Sequence, residues 1–177
     1  MVAGILRDAA RGRRRGGRRL RREHGGGSCR APVQDFSPLV THVLDTNVVS
    51  ALMRGDPRVV DRVNRLARAD VAVPEPVFAE IAYGIERLPD SKRKHLLRRR
   101  FELLRSELPH AVWSDPVTDA FGTIKARLEK LGRRIEDLDA AVAAHAVAHH
   151  AVLVTANVRH MLRIPNLQIE DWSEDSK

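Results

Sequence analysis

The sequence predicts an α/β fold: a central, mostly parallel sheet with helices on both faces, three layers in all. Three observations lead there. Short runs rich in valine and leucine alternate with longer segments whose apolar residues recur every three or four positions, the pattern of strands joined by helical crossovers. One such run, in HVLDTNVVS, ends on Asp45 and passes at once into a helix-like segment; open α/β sheets place ligand sites at such carboxyl ends of strands. The chain has 177 residues, enough to bury a core within a single domain.

The elements follow in order. His42–Asp45 reads as a strand and Val48–Arg54 as a short helix. Asp56 and Pro57 supply an N-cap and a first-turn proline for a helix reaching about Ala69, with Val59, Val63, Leu66 and Ala67 on one face. Val71–Val73 is a second strand, and Glu75–Leu88 a helix with Val77, Ile81, Ile85 and Leu88 in a stripe. Asp90 or Ser91 caps a helix running to about Leu108, and Ala111–Trp113 is a further strand. A helix from Pro116 to Leu131 stops at Gly132, and an alanine-rich one spans Ile135–His149. Val152–Thr155 and Leu167–Ile169 are the last strands.

Charge divides the chain in two. The formal net charge is +8, but residues 1–40 hold ten arginines against three acids, and the remaining 137 residues carry 21 basic and 20 acidic groups. The segment 1–40 is rich in Arg and Gly and poor in large apolar side chains, so a disordered basic arm is expected there, ahead of a domain at 41–173. Such an arm binds phosphate backbones without sequence preference. The abrupt change at Val40 favours another origin, in which translation starts at a GTG codon there and the arm is absent from the native protein. Cys29 is the sole cysteine, which excludes an internal disulfide and a cysteine zinc site. No apolar run reaches the length of a membrane span and no signal peptide is evident, so a cytoplasmic protein is expected.

Three acids stand in apolar settings. Asp45 serves equally well as a helix cap or a ligand. Glu80, in PVFAEIAYG, lies at the edge of a buried stripe and reads either as a surface acid or as part of a site. Asp139, in LDAAVAAHAVA, is surrounded by small apolar residues, where a charge is costly unless paired or bound to a cation. Two carboxylates about 5 Å apart repel by roughly 3 kcal/mol at an effective dielectric of 20. Three together therefore call for a cation, and oxygen donors favour Mg²⁺ or Mn²⁺. Glu136 and Asp137 suit the first turn of their helix, and His145, His149 and His150 its C-terminal end, through the helix dipole.

Four segments, VLDTNVVSALMRG at 43–55, PVFAEIAYGIERL at 76–88, GRRIEDLDAAVAAHA at 132–146 and VLVTANVRHMLRIPNLQIEDW at 152–172, together resemble the PIN-domain ribonucleases, specifically the VapC-type toxins of toxin–antitoxin pairs. The resemblance implies a PIN-like α/β/α domain and a metal-dependent endoribonuclease with Asp45, Glu80 and Asp139 as metal ligands. It further implies a homodimer, an RNA substrate and a VapB-like antitoxin seated in the acidic cleft. The family's fourth position, often Asp, is Asn157 here; its amide can coordinate or hold water but adds no charge. Candidate substrate contacts are Thr46, Asn47, Arg133, Thr155 and Arg159. A basic helix with Lys92, Arg93, Lys94, Arg98, Arg99 and Arg100, together with Arg134, could also hold the RNA backbone or simply face solvent. Two other readings compete. A phosphatase-like fold usually shows D-x-D, whereas Asn47 occupies the second position; a non-catalytic nucleic-acid-binding protein would rely on the basic arm.

Overall fold

The structure, a computed structural model, describes residues 40–173; the expected arm, Val40 excepted, lies outside the described residues. Five strands form one sheet: β1 (His42–Leu44), β2 (Val71–Pro74), β3 (His110–Ala111), β4 (Val152–Val154) and β5 (Ile169–Glu170). Their order is β3-β2-β1-β4-β5 and every pairing is parallel. Parallel neighbours cannot be joined by tight hairpins, so helices must cross over between them. Those helices are α1 (Thr46–Arg54), α2 (Pro57–Arg65), α3 (Glu75–Glu86), α4 (Lys92–Glu107), α5 (Asp115–Lys130), α6 (Asp137–Ala148) and α7 (Val158–Met161).

The strands show that both sheet faces are covered. Val43, Leu44, Val71, Ala72, Val73, Leu153 and Val154 are all buried, with no alternation between an inner and a wet side. α6 is buried on nearly every side because Ala140, Ala141, Ala143, Ala144 and Ala146 let it approach β1, β4 and α5 closely. Topology then fixes the site. The chain moves outward from β1 through β2 to β3 and returns to β4 on the other side of β1. The direction reverses between β1 and β4, and ligands bind open α/β sheets beyond the carboxyl ends of strands at such a switch point.

Local chemistry sets the ends of the elements. Asp56 accepts from the Arg58 amide at 3.0 Å with Pro57 behind it, and Ser91, not Asp90, caps α4 by accepting from Lys94 N at 3.2 Å. Gly55 closes α1 in the left-handed region at φ 78°, where a side chain would be strained. α2 stops at Arg65 rather than near Ala69: Leu66 and Ala67 turn extended, and Asp70 accepts the Ala67 amide at 3.1 Å across a 3₁₀ turn at Arg68–Asp70. β3 begins one residue early, at His110, because it registers against Val73 and Pro74. Trp113 instead bonds Thr118 through its indole nitrogen. α6 starts at Asp137, since Ile135 and Glu136 lie outside the helical turn. β5 forms at Ile169–Glu170, with Leu167 before it.

Candidate metal-binding active site

Asp45 follows β1, and its amide continues the ladder to the Val154 carbonyl at 3.0 Å. Its side chain is both the cap of α1 and the centre of a buried network. Oδ1 accepts from Thr46 N at 2.6 Å; Oδ2 accepts from the Thr155 hydroxyl at 2.6 Å and the Asn47 amide at 2.8 Å. Thr155 is fully buried after β4, and its oxygen also accepts from Asn47 Nδ2 at 3.0 Å and from Asn157 N at 2.9 Å. Asn47 Oδ1 takes the Ala156 amide at 3.0 Å. These bonds pin the loop after β4 to the start of α1, and with it the Asp45 carboxylate, which is only 6% exposed.

Glu80 lies on the solvent side of α3, and its Oε2 accepts from the Thr46 hydroxyl at 2.5 Å. Thr46 thus touches two acids, Asp45 through its amide and Glu80 through its hydroxyl. Asp139 enters from the first turn of α6. Its Oδ2 lies 3.5 Å from Asn157 Nδ2 and 4.0 Å from Nδ1 of His160. Burial pushes the Asp139 carboxyl above its ordinary range, reinforced by the charges of Asp45, Glu136 and, more weakly, Glu80; His160 partly opposes them. The three sequence-predicted acids therefore share one electrostatic neighbourhood, with Asn157 at its rim.

The donor chemistry fits a divalent cation. Glu80 Oε1 and Asp139 Oδ1 accept no hydrogen bond among the described residues, and the like charges around Asp139 are what a cation would relieve. Among the described residues no three His, Cys, Asp or Glu side chains close around a single point. Mg²⁺ rarely uses an all-protein cage; one or two carboxylates, waters and substrate phosphates usually suffice.

The basic residues fall into two groups. Lys94 and Arg98 both pair with Glu86, and Arg100 donates to the Met53 carbonyl at 2.9 Å, so these three fasten α4 to α3 and α1. Lys92, Arg93 and Arg99 are exposed on α4, as are Arg133 before α6 and Arg159 on α7. Arg134 faces Glu129 at 3.9 Å, and Asp137 pairs with Lys125. Sequence reasoning missed His160, whose only signal was its place three residues after Asn157. It also missed Tyr83, 63% exposed one turn from Glu80, with the Arg87 guanidinium 5.5 Å from its ring centre.

The histidines need a correction. The helix dipole would favour a charged His145, but the side chain is fully buried among alanines, 5.7 Å edge-on from Trp113. Burial, with help from His149, lowers its pKa to about 4. It is a neutral core residue, because desolvation outweighs the dipole.

With a strand-end Asp, a helix Glu and a helix Asp meeting at the switch point of an all-parallel sheet, relatives can be compared. Residues 42–167 match the PIN domain family. The chain belongs to that family, among its VapC ribonucleases. It is 32% identical over 135 residues to ribonuclease VapC2 of Rickettsia felis, covering 75% of this chain and 98% of that one. It is 31% identical over 138 residues to ribonuclease VapC1 of Haemophilus influenzae, covering 75% and 98%. Its fold matches the crystal structure of VapBC2 from Rickettsia felis bound to a DNA fragment from their promoter, with a TM-score of 0.67, 29% identity and coverage of 75% and 98%. The PIN-like α/β/α architecture expected from the sequence is thereby borne out, and the sheet is wholly rather than mostly parallel. Among the described residues, no helix is long and apolar enough to cross a membrane.

Proposed function

We propose that this VapC-family chain is a divalent-cation-dependent endoribonuclease toxin of the cytoplasm, acting as a homodimer and silenced by a VapB-like antitoxin seated over the acidic cleft. The carrying observation is the convergence of the three acids at the β1–β4 switch point, where burial first, then the charge of Asp45 and, most weakly, that of Glu80 raise the proton affinity of Asp139. The partner reading draws support from the relative solved as VapBC2.

Asp45, Glu80 and Asp139 would hold Mg²⁺ or Mn²⁺, which when bound polarises the scissile phosphate and lowers the pKa of a water. The chain's own residues do the rest. Thr155 and Asn47 fix the Asp45 carboxylate, so little ordering is left for the moment of reaction. Thr46 keeps Glu80 turned to the same side. Glu80 and Asp139 would accept hydrogen bonds from the attacking water. Thr46 and Asn47 border the path of the backbone, while buried Thr155 acts through Asp45. An acidic cleft repels RNA, so Arg133 and Arg159 neutralise flanking phosphates, and exposed Tyr83, steadied by Arg87, offers a base a stacking face.

RNA cleavage by the antitoxin-free protein should require Mg²⁺ or Mn²⁺, stop on chelation and resume when metal is restored. D139N should lower the rate by at least about 100-fold. Cleavage at wild-type rate by D139N in Mg²⁺ would sink the assignment.

A further inference from the structure

Beside the hydrogen-bonded network of Asp45, the rim of the site holds a looser group. α7 is a single turn whose buried Met161 anchors it and whose entry is tied to Thr155 through the Asn157 amide. Asn157 and His160 stand three residues apart and so share a face of that turn. Both approach the same oxygen, Oδ2 of Asp139: Asn157 Nδ2 at 3.5 Å and His160 Nδ1 at 4.0 Å. Good N–H···O bonds are about 2.7–3.2 Å long, so neither contact is a satisfying one. The spacing instead suits ligands of one ion. Donors each about 2.1 Å from a cation lie roughly 3.0 Å apart at right angles and roughly 4.2 Å apart when opposite. Half a turn of the Asn157 amide exchanges its nitrogen for its oxygen. Asn157 Oδ1 and His160 Nδ1 are then two further donor atoms beside Asp139 Oδ2.

We propose that His160 is a nitrogen ligand of the cation held by Asp139, with Asn157 completing the rim. This rests on reading the acids as a metal site and adds to it a specific preference. Mg²⁺ is a hard ion served by oxygen, whereas imidazole suits transition ions. The site therefore favours Mn²⁺ over Mg²⁺ more than an all-oxygen site would. His160 also accounts for how a rim with an amide in place of a fourth acid retains a strong donor without adding a fourth negative charge beside Asp45, Glu80 and Asp139.

Pulsed electron paramagnetic resonance on the full chain loaded with Mn²⁺ reads this directly, because a bound imidazole imprints a ¹⁴N coupling on the metal signal. The wild type should show that coupling. H160A and H160Q, checked for native melting, should still bind Mn²⁺, without the coupling and at least about 10-fold more weakly. The excess of Mg²⁺ needed to displace Mn²⁺ should fall in both variants. Mn²⁺ bound to wild type without nitrogen coupling, or coupling that survives in both variants, overturns the role of His160 and leaves the acidic site standing. Failure of the wild type to bind Mn²⁺ at all overturns both readings.

Discussion

Asp45 and Asp139 carry the same side chain into the same site but live in different surroundings. Asp45 is nearly sealed from solvent and accepts three hydrogen bonds of 2.6–2.8 Å from Thr46, Asn47 and Thr155. Asp139 is half-buried, holds only long contacts to Asn157 and His160, and is pushed toward its protonated form by burial and by neighbouring acids. One carboxylate is held by three short bonds that leave about one lone pair free; the other meets only the long Asn157 contact and the more distant His160 ring among the described residues. The difference teaches how the proposed site would be built: a rigid half made during folding, and a half that the proposed cation would complete.

That contrast can be broken from either side. One expected effect lies on the rigid half. T155V keeps the shape of the side chain but removes a donor to a buried carboxylate, so it should destabilise the protein by about 1–3 kcal/mol in chemical denaturation. RNA cleavage should fall with it as Asp45 loses its fixed orientation. An unchanged denaturation midpoint would show that the Asp45 network is not part of the folding energy.

Acid sharpens the comparison along α6, which carries Asp139 in its first turn and His145 two turns later. His145 has a folded pKa of about 4 against an ordinary value of 6.5. The unfolded chain therefore binds more protons between those limits, and stability must fall as pH drops from about 6.5 toward 4. The full shift corresponds to about 3 kcal/mol. Asp139, with its pKa raised, works in the opposite sense: its protonation on acidification relieves the folded state. Urea denaturation at pH 7 and pH 4.5 should thus show a loss that H145F diminishes, whatever packing cost that variant carries at both pH values. Equal pH dependence in wild type and H145F would remove His145 from the account.

Much of this was legible in the sequence, for identifiable reasons. β1, β2 and β4 are central strands buried on both faces, so their Val and Leu runs announced them. The helices from α1 to α5 carry caps or apolar stripes that period and spacing reveal, and α6 shows as an alanine-rich run. α7 escaped because four residues make one turn, too short for any periodicity. The end of α2 was misplaced because Leu66 fits a helical stripe, yet the chain must turn extended to enter β2. The acids were legible as positions and not as surroundings. Nothing in HVLDTN states that Thr155, 110 residues later, donates to Asp45. Nor does a lone His160 announce that a one-turn helix brings it to Asp139.

The central claim is that Asp139 is a charge the fold leaves for a cation, and thermal melting with and without metal tests it most directly. In EDTA, D139N should melt above wild type, because the amide removes the repulsion with Asp45, Glu136 and Glu80. Added Mn²⁺ should raise the melting temperature of wild type, since a ligand that binds only the folded state stabilises it, and leave D139N nearly unmoved. If D139N instead melts lower in EDTA, or gains as much from Mn²⁺ as wild type does, Asp139 is a structural acid and the metal site lies elsewhere.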